Sequence, residues 1–388
     1  MKKAFAVSLI LVLAGNLFAQ ELKFDGYVNS GLGLLLTNEE DVDPALRAFG
    51  ADSEQWGYRF RLNGSVTGEE GNAGLKFRFQ SQSKISAGYF SLPYAYGWIK
   101  LLNGIITLSG GLVDDGTWNS GGAVLDEDVG EGLGALAKVS PIDGLDLGAG
   151  AYILGYNSGG NNNVLLTDDF SNAALKPWEA KYTINAGYTA ADLFRVTAAF
   201  RVKIDAAYDT GDSNTGRDES TKGIIGVKVL AVRNLTAIVE GEIDKLNDFS
   251  DTGIINFYET LGYKLGDLGM GLNAVQYISR KDEADIGLRF NPWVSYTLGS
   301  IVPRLDLVYF MAGTPDTEGK YHRKNYKPNY NADYSIFTIR PAVKFNLNPK
   351  TFVEAGDLIG FEKGPGNTFA DKNSRLVNVL YVDFKWSF

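Results

Sequence analysis

The stretch Arg375–Phe388, which reads RLVNVLYVDFKWSF, carries the pattern from which the fold follows. Every second side chain in it is apolar: Leu380, Val382, Phe384, Trp386 and Phe388. The positions between them hold a mostly polar set: Val379, Tyr381, Asp383, Lys385 and Ser387. A period of two residues is that of a β-strand with one apolar face and one face toward water. The sequence therefore predicts that the chain ends inside a strand and on an aromatic residue.

The composition of the whole chain favours β-structure. Its 388 residues include 46 Gly, 20 Tyr and 22 Phe but only 3 Met, and the mean hydropathy is −0.10. Many aromatic residues are typical of all-β proteins, and a hydropathy near zero is expected when lipid-facing and water-facing residues alternate. The formal charge of −9 disfavours general nucleic-acid binding, and a sequence without Cys forms no disulfide.

Segments in which apolar and polar residues alternate recur along the chain. The connections between these segments are alternately short and long. We count eighteen such segments, joined by eight short turns and nine longer loops. Short turns at one rim and long loops at the other indicate a transmembrane antiparallel up-and-down β-barrel, because a soluble sheet protein has no reason to sort its connections. The alternation breaks near Glu259, Gln276 and Glu354, so a barrel of sixteen strands is the alternative.

The terminal aromatic strand and the sorted connections resemble those of bacterial outer-membrane β-barrels, whose last strand typically ends in Phe as an assembly signal. The resemblance is to a class, and it covers the two ends of the chain and the strand rhythm between them. It implies an outer-membrane location in a Gram-negative-type envelope, with both termini in the periplasm and with outer-membrane lipid and the barrel-assembly machinery as partners. Trp386 and Phe388 are then the candidate assembly signal. General porins, which the chain also resembles, are usually trimers, so the resemblance implies a homo-oligomer.

The N-terminus reads as an export signal. Lys2 and Lys3 precede an apolar run over residues 4–14, and small residues lie near a cleavage point after Ala19. The run is shorter than the roughly 20 apolar residues that span a bilayer as a helix. We therefore expect a cleaved signal peptide at residues 1–19 and a single barrel domain at residues 20–388.

On several predicted strands, basic residues occupy the positions between the apolar ones. A charge on the lipid face costs roughly 2–4 kcal/mol at mid-depth, so these side chains are expected to face the lumen. The candidate pore-lining residues are Arg59, Arg61, Lys76, Arg78, Lys181, Arg195, Arg201, Lys203, Arg340 and Lys344. Several like charges cannot be buried dry, and a barrel of about eighteen strands is wide enough for an aqueous channel. The sequence therefore predicts a porin for passive diffusion of small polar solutes or ions.

One acidic loop is a candidate constriction. It spans residues 114–130 and contains five carboxylates: Asp114, Asp115, Asp126, Glu127 and Asp128. In general porins the third long loop folds inward and narrows the channel with carboxylates that face arginines. The resemblance implies the same role here, across the lumen from the basic wall, with a field that orients dipolar solutes. The other interpretation, a solvated surface loop, stays open at this point.

Other functions are less well supported by the sequence. The sole His322 lies in a basic segment at residues 320–330 and has no fixed Ser or Asp partner readable nearby, so we expect no enzyme. We expect no cofactor and no metal site either. An adhesin or ligand-binding barrel that acts through its long loops is the alternative function. The walls lean basic and the loops lean acidic, so either ion preference is compatible with the sequence.

Overall fold

The computed structural model describes residues 19–37, 44–48, 58–68, 70–81, 90–113, 132–153, 180–206, 217–246, 254–279, 286–311, 335–363 and 374–388. Three predicted features lie outside the described residues: the signal peptide up to residue 18, the acidic loop at 114–130, and the basic segment with His322. Among the residues that are described, none belongs to a helix long and apolar enough to cross a membrane.

The described residues form β-strands joined mainly by short turns. The strands are β1 (Ala19–Thr37), β2 (Ala45–Ala48), β3 (Tyr58–Gly68), β4 (Ala73–Ser81), β5 (Phe90–Leu101), β6 (Ile106–Val113), β7 (Gly132–Ile142), β8 (Leu145–Ile153), β9 (Ala180–Ala190), β10 (Phe194–Ala206), β11 (Arg217–Val229), β12 (Leu235–Asp244), β13 (Ile254–Leu265), β14 (Leu268–Ser279), β15 (Gly287–Tyr296), β16 (Ile301–Met311), β17 (Ser335–Asn348), β18 (Thr351–Lys363) and β19 (Ser374–Ser387). A single 3-10 turn, Leu102–Gly104, connects β5 to β6.

The strands close into a ring. From β3 to β19 each strand pairs antiparallel with the next, and β1 pairs with β19 over Tyr27–Thr37 and Val377–Ser387. On its other side β1 pairs with β3 over Ala19–Ser30 and with the short β2 over Leu32–Leu35. Strand β2 thus lies beyond β3 along the same edge of β1, and eighteen long strands form the barrel. The predicted all-β barrel of eighteen strands is confirmed, and the alternative of sixteen is wrong.

The last residue takes part in the closure of the ring. The backbone N–H of Phe388 donates to the carbonyl of Gly26 at 3.1 Å, and the N–H of Gly26 donates to the carbonyl of Phe388 at 3.3 Å. The alternation of apolar and polar residues in β19 is matched on its partner strand β1. Trp386 lies opposite Val28, and Lys385 lies opposite Asn29.

The outer face of the barrel is apolar and carries two rows of aromatic rings. Five strands have an exposed aromatic side chain near each end of this face: Tyr182 and Tyr188 on β9, Phe194 and Phe200 on β10, Phe257 and Tyr263 on β13, Phe290 and Tyr296 on β15, and Phe337 and Phe345 on β17. The two members of each pair are six or eight residues apart, which is about 20–27 Å along a strand. An apolar band between two girdles of aromatic side chains is characteristic of a β-barrel that spans a membrane.

A proline inside β15 shows how the wall compensates for a missing donor. Pro292 has no N–H, and the β15–β16 pairing is interrupted beside it. The side-chain amide of Asn291 donates to the carbonyl of Leu307 at 2.9 Å, so this acceptor keeps a partner. The interruption is therefore local, and β15 continues past it as a barrel strand.

The predicted breaks in alternation have two different causes. Glu259 lies opposite Ala274, between the outward Phe257 and Leu261, and Gln276 lies opposite Phe257, so both point away from the lumen. Glu354, in contrast, faces inward and accepts a hydrogen bond from the Tyr381 hydroxyl at 2.9 Å. The break near Glu259 is thus a real one, because an acidic residue occupies an outward position of β13.

Candidate pore wall

The register places nine of the ten predicted pore-lining residues on the inner face of the barrel. They are Arg59 and Arg61 on β3, Lys76 and Arg78 on β4, Lys181 on β9, Arg195 and Arg201 on β10, and Arg340 and Lys344 on β17. The side chain of the tenth, Lys203, lies outside the described residues. This face is opposite the exposed apolar side chains because successive residues of a strand point to opposite sides. Five of these cations, Arg59, Arg61, Arg78, Arg195 and Arg340, belong to groups of side chains that differ in their partners.

The first group, which we call the arginine cluster, consists of Arg59, Arg61 and Arg78. The guanidinium groups of Arg59 and Arg61 both donate to the side-chain oxygen of Gln80, each at 3.2 Å. Arg78 donates through Nε to the side-chain oxygen of Asn63 at 2.9 Å. Amide oxygens are neutral acceptors, so these bonds orient the arginines without cancelling their charge.

Tyrosine rings hold two members of the arginine cluster from the side. The Cζ atom of Arg61 lies 5.3 Å from the centre of the Tyr27 ring, and that of Arg78 lies 4.7 Å from the centre of the Tyr94 ring. A guanidinium over an aromatic face is attracted by the ring quadrupole and keeps its positive charge. Arg61 and Arg78 are therefore cations fixed in place by neutral groups.

A second group, on β7 to β10, pairs its cations with one carboxylate. Asp146 lies 3.3 Å from the amine of Lys138 and 3.7 Å from the guanidinium of Arg195. The hydroxyl of Ser140 donates to the same carboxylate at 2.6 Å. Arg195 also donates to the Thr189 hydroxyl at 2.9 Å. Unlike the arginine cluster, this group balances much of its positive charge internally.

A third group is deeply buried in the wall formed by β11 to β13. The amine of Lys222 lies 2.7 Å from the Glu242 carboxylate, and Asn256 donates to the same carboxylate at 3.3 Å. Glu240, one inward position away from Glu242, is also fully buried. Sequence reasoning missed these two carboxylates. The signal that could have found them is the spacing of Glu240, Glu242 and Asp244, which repeats acid at every second residue.

The fourth group surrounds Asp306. Arg304 binds this carboxylate through two hydrogen bonds of 2.7 Å, and Arg340 approaches it to 3.3 Å. The Arg304 guanidinium also lies 4.8 Å from the centre of the Trp293 ring. Asp306 is only 1% exposed, so it is a central acceptor that fixes two arginines on neighbouring strands.

The arrangement of the four groups makes the inner wall electrically asymmetric. Strand β3 and strand β12 are nine positions apart in a ring of eighteen, so the arginine cluster lies across the lumen from Glu240 and Glu242. Three groups contain a carboxylate beside their cations, whereas Arg61 and Arg78 contact amides and rings. Arg61 and Arg78 are therefore cations without a direct carboxylate contact among the described residues, and the acid beside them, Asp25 on β1, accepts a hydrogen bond from Asn63 and not from either arginine.

Several residues of this wall were not found by sequence reasoning. Asn63, Tyr27 and Tyr94 are common residue types whose role depends on cross-strand register, and register is not visible in one strand alone. The five carboxylates of the predicted constriction loop, Asp114, Asp115, Asp126, Glu127 and Asp128, lie outside the described residues. Within the described ranges, no three His, Cys, Asp or Glu side chains are grouped so that they could hold a metal ion.

Comparison with known proteins shows similarity at the level of fold. No protein-family model and no curated protein sequence matches the chain. Among solved structures, OpdL of Pseudomonas aeruginosa is 10% identical with a TM-score of 0.50, over 95% of this chain and 99% of that chain. OccAB4 of Acinetobacter baumannii is 11% identical with a TM-score of 0.50, over the same shares of the two chains. These matches show the fold alone, and the predicted resemblance to porin-like outer-membrane barrels is confirmed to that extent.

Proposed function

We propose that the protein is an outer-membrane porin with a water-filled channel that passes small polar solutes and prefers anions. The observation that carries this proposal is the pair of Arg61 and Arg78 in the arginine cluster, two cations on the inner face of a closed barrel that contact amide oxygens and tyrosine rings. The proposed location has both termini in the periplasm, on the side of the short turns.

The case for water in the lumen rests on the distribution of charge. Among the described residues, charged side chains on the inner face occur on β3, β4, β7, β8, β10 to β12 and β16 to β18. Enclosing that many charges without solvent would be prohibitive. Barrels of 16–18 strands are wide enough to leave an aqueous channel.

The proposed preference for anions rests on whether a carboxylate lies beside the basic side chains of each of the four groups. In three of them Asp146, Glu242 or Asp306 lies within 4 Å of a basic side chain and reduces its field. The arginine cluster has no such compensation from the contacts of Arg61 and Arg78 in the described part of the chain. A cationic wall in a low-dielectric passage raises the local concentration of anions.

The remaining parts of the proposal come from the resemblance to porins. They are a signal peptide at residues 1–19, assembly through Trp386 and Phe388 by the barrel-assembly machinery, a trimeric state, and a constriction formed by the acidic loop at 114–130.

Ion selectivity in a planar lipid bilayer tests the proposal. The purified barrel is inserted between compartments of unequal salt concentration, and the reversal potential is measured. We expect a potential whose sign reports anions as the more permeant species. Equal permeabilities or a preference for cations would contradict the role given to the arginine cluster, and a protein that inserts without conducting would favour the adhesin alternative.

A further inference from the structure

An acidic residue and a primary amide lie side by side on the outer face of β13 and β14. Glu259 is opposite Ala274, and Gln276 is opposite Phe257, whose ring is exposed on that face. Gln276 Nε2 donates to Glu259 Oε1 at 3.4 Å. On the other side of Glu259 the facing residue is the exposed Val239 of β12. These two side chains, the first polar pair, thus lie among apolar residues of the wall.

A second polar pair lies on the outer face of β18 and β19. Asp357 is opposite the exposed Leu380, and Asn378 is opposite Ile359 and Leu36. Asn378 Nδ2 donates to Asp357 Oδ2 at 3.2 Å. The second pair therefore has the composition of the first, a carboxyl on one strand and a primary amide on the next.

The carboxyls of the two pairs lie at the same distance from the rim of short turns. Glu259 is six residues from Leu265, where β13 ends at its short turn. Asp357 is six residues from Thr351, where β18 begins after its short turn. Because strands of one barrel rise by nearly the same distance per residue, the two carboxyls are at the same depth in the wall.

The amides of the two pairs also occupy matching positions. Gln276 is eight residues from Leu268, the first residue of β14 after the short turn. Asn378 pairs with Ile359, which is eight residues from Thr351. In each pair the amide is on the strand that follows the carboxyl in the ring, two residues farther from the short turns. The outer face thus presents the same arrangement twice.

Lipid is a poor neighbour for these four side chains. A polar group that faces hydrocarbon loses its hydrogen bonds with water, and acidic residues on the lipid face destabilise a barrel. A primary amide has two N–H donors, and a carboxyl group accepts several hydrogen bonds, so the bond within each pair does not use their full capacity. Each pair can therefore both donate to and accept from a neighbouring protein surface.

The surface that complements each polar pair is present on the chain itself. Two barrels with the same orientation in a membrane meet wall to wall, so the left side of one wall meets the right side of the other. Because both pairs have the carboxyl and the amide in the same order around the ring, the carboxyl of one pair then lies on the side of the amide of the other. A second copy of this chain is thus the partner that fits.

The positions of the two pairs favour a contact between unlike faces. The β13–β14 face and the β18–β19 face are five strand positions apart in a ring of eighteen, so one barrel can use both at once toward different neighbours. A contact between unlike faces turns by the same angle at each copy and can close into a ring, as most oligomers do. Contacts between like faces would alternate along an open chain.

We propose that copies of this protein associate side by side through the β13–β14 face of one copy and the β18–β19 face of the next, in a closed ring of more than two copies. The inference rests on the proposed location in a membrane, and it gives the proposed homo-oligomer a defined interface. It does not depend on conduction through the lumen, because both faces are on the outside of the barrel.

Cysteine cross-linking tests which faces meet. The sequence has no Cys, so introduced thiols are the only ones present. Leu261→Cys on β13 and Leu380→Cys on β19 are folded together into phosphatidylcholine vesicles at a low ratio of protein to lipid and treated with a mild oxidant. We expect cross-linked dimers in the mixture but not with either variant alone. Ile184→Cys, an exposed position of β9, replaces Leu261→Cys as the control and should give none.

Two outcomes of the cross-linking would overturn the proposal. Dimers formed by Leu261→Cys alone would show a contact between like faces. A mixture that gives no more dimer than the Ile184→Cys control would show that these faces do not meet.

Removing the first polar pair gives a second readout. In Glu259→Leu, Gln276→Leu the dissociation constant of the oligomer in vesicles should rise by roughly tenfold or more, because hydrogen bonds between copies are lost. The variant should still fold, which circular dichroism shows, since leucine suits a lipid-facing position. Ile184→Leu is the matched control and should associate as the wild type does. A monomeric wild type, or a double variant that associates equally tightly, would overturn the proposal whether or not the barrel conducts.

Discussion

Arg61 and Arg78 show how neighbouring side chains decide the role of a charged residue. Both have the same net charge as Arg304, yet Arg304 is bound to a carboxylate and they are bound to amides and tyrosine rings. The field of Arg304 is largely cancelled by Asp306, whereas that of Arg61 and Arg78 extends into the lumen. The charge of a pore wall therefore depends on partners and not on a count of basic residues.

Removing this charge should change ion selectivity. In the double variant Arg61→Gln, Arg78→Gln, the ratio of anion to cation permeability should fall by roughly twofold or more, because two uncompensated cations are lost. Reversal potentials in planar bilayers measure the ratio. The control is Arg233→Gln, which makes the same change at an exposed turn residue and should leave the ratio nearly unaltered. Equal effects of the two changes would argue against a special role for the cluster.

Asp306 has the opposite character, since its role is structural. Asp306→Ala would leave Arg304 and Arg340 close together without the buried carboxylate that binds both, at an expected cost of about 3–5 kcal/mol in the free energy of unfolding. Urea unfolding from lipid vesicles measures this loss. Asp306→Asn keeps an acceptor oxygen and should lose less. An alanine variant as stable as the wild type would show that the two arginines find other partners.

Strands β4 and β5 offer a matched pair of glycines that tests how tightly the wall is packed. A Cβ atom at Gly74 would lie 2.5 Å from the carbonyl oxygen of Val66 and 2.7 Å from the Trp98 ring, whereas one at Gly97 would have its nearest neighbour at 3.7 Å. Gly74→Ala should therefore reduce the free energy of unfolding by about 1–3 kcal/mol, and Gly97→Ala by clearly less. Unfolding followed by tryptophan fluorescence compares them. Similar losses for both would contradict the close contact between Trp98 and β4.

The strands themselves could be predicted from the sequence because one face of each strand meets lipid and the other meets water. Apolar and polar residues therefore alternate along the strand. A residue such as Phe200 must meet lipid and its neighbour Arg201 must not, so the period of two is visible without the fold. Cross-strand neighbours could not be predicted in the same way. The contact of Arg59 and Arg61 with Gln80 depends on the register of β3 and β4, and a shift of one residue would remove it. The outward Glu259 breaks the rule of alternation, so it was visible in the sequence only as an irregularity.

For the whole molecule, closure of the ring follows from sorted connections and from the terminal strand. The predicted strand from Arg375 to Phe388 is β19, and its pairing with β1 leaves the barrel without a free edge. The unequal distribution of charge around the lumen, in contrast, could not be predicted from any one strand. It arises because closure of the ring places β3 across the lumen from β12. No segment of the sequence contains that relation by itself, which explains why Glu240 and Glu242 were missed.

Single-channel recording with polymers of graded size tests the central claim most directly. The purified barrel is added to a planar lipid bilayer, and conductance steps are measured with polyethylene glycols of increasing size in the bath. An open, water-filled barrel predicts discrete steps that small polymers reduce and polymers larger than the bore leave unchanged. A folded, inserted protein that gives no conductance steps would contradict the account.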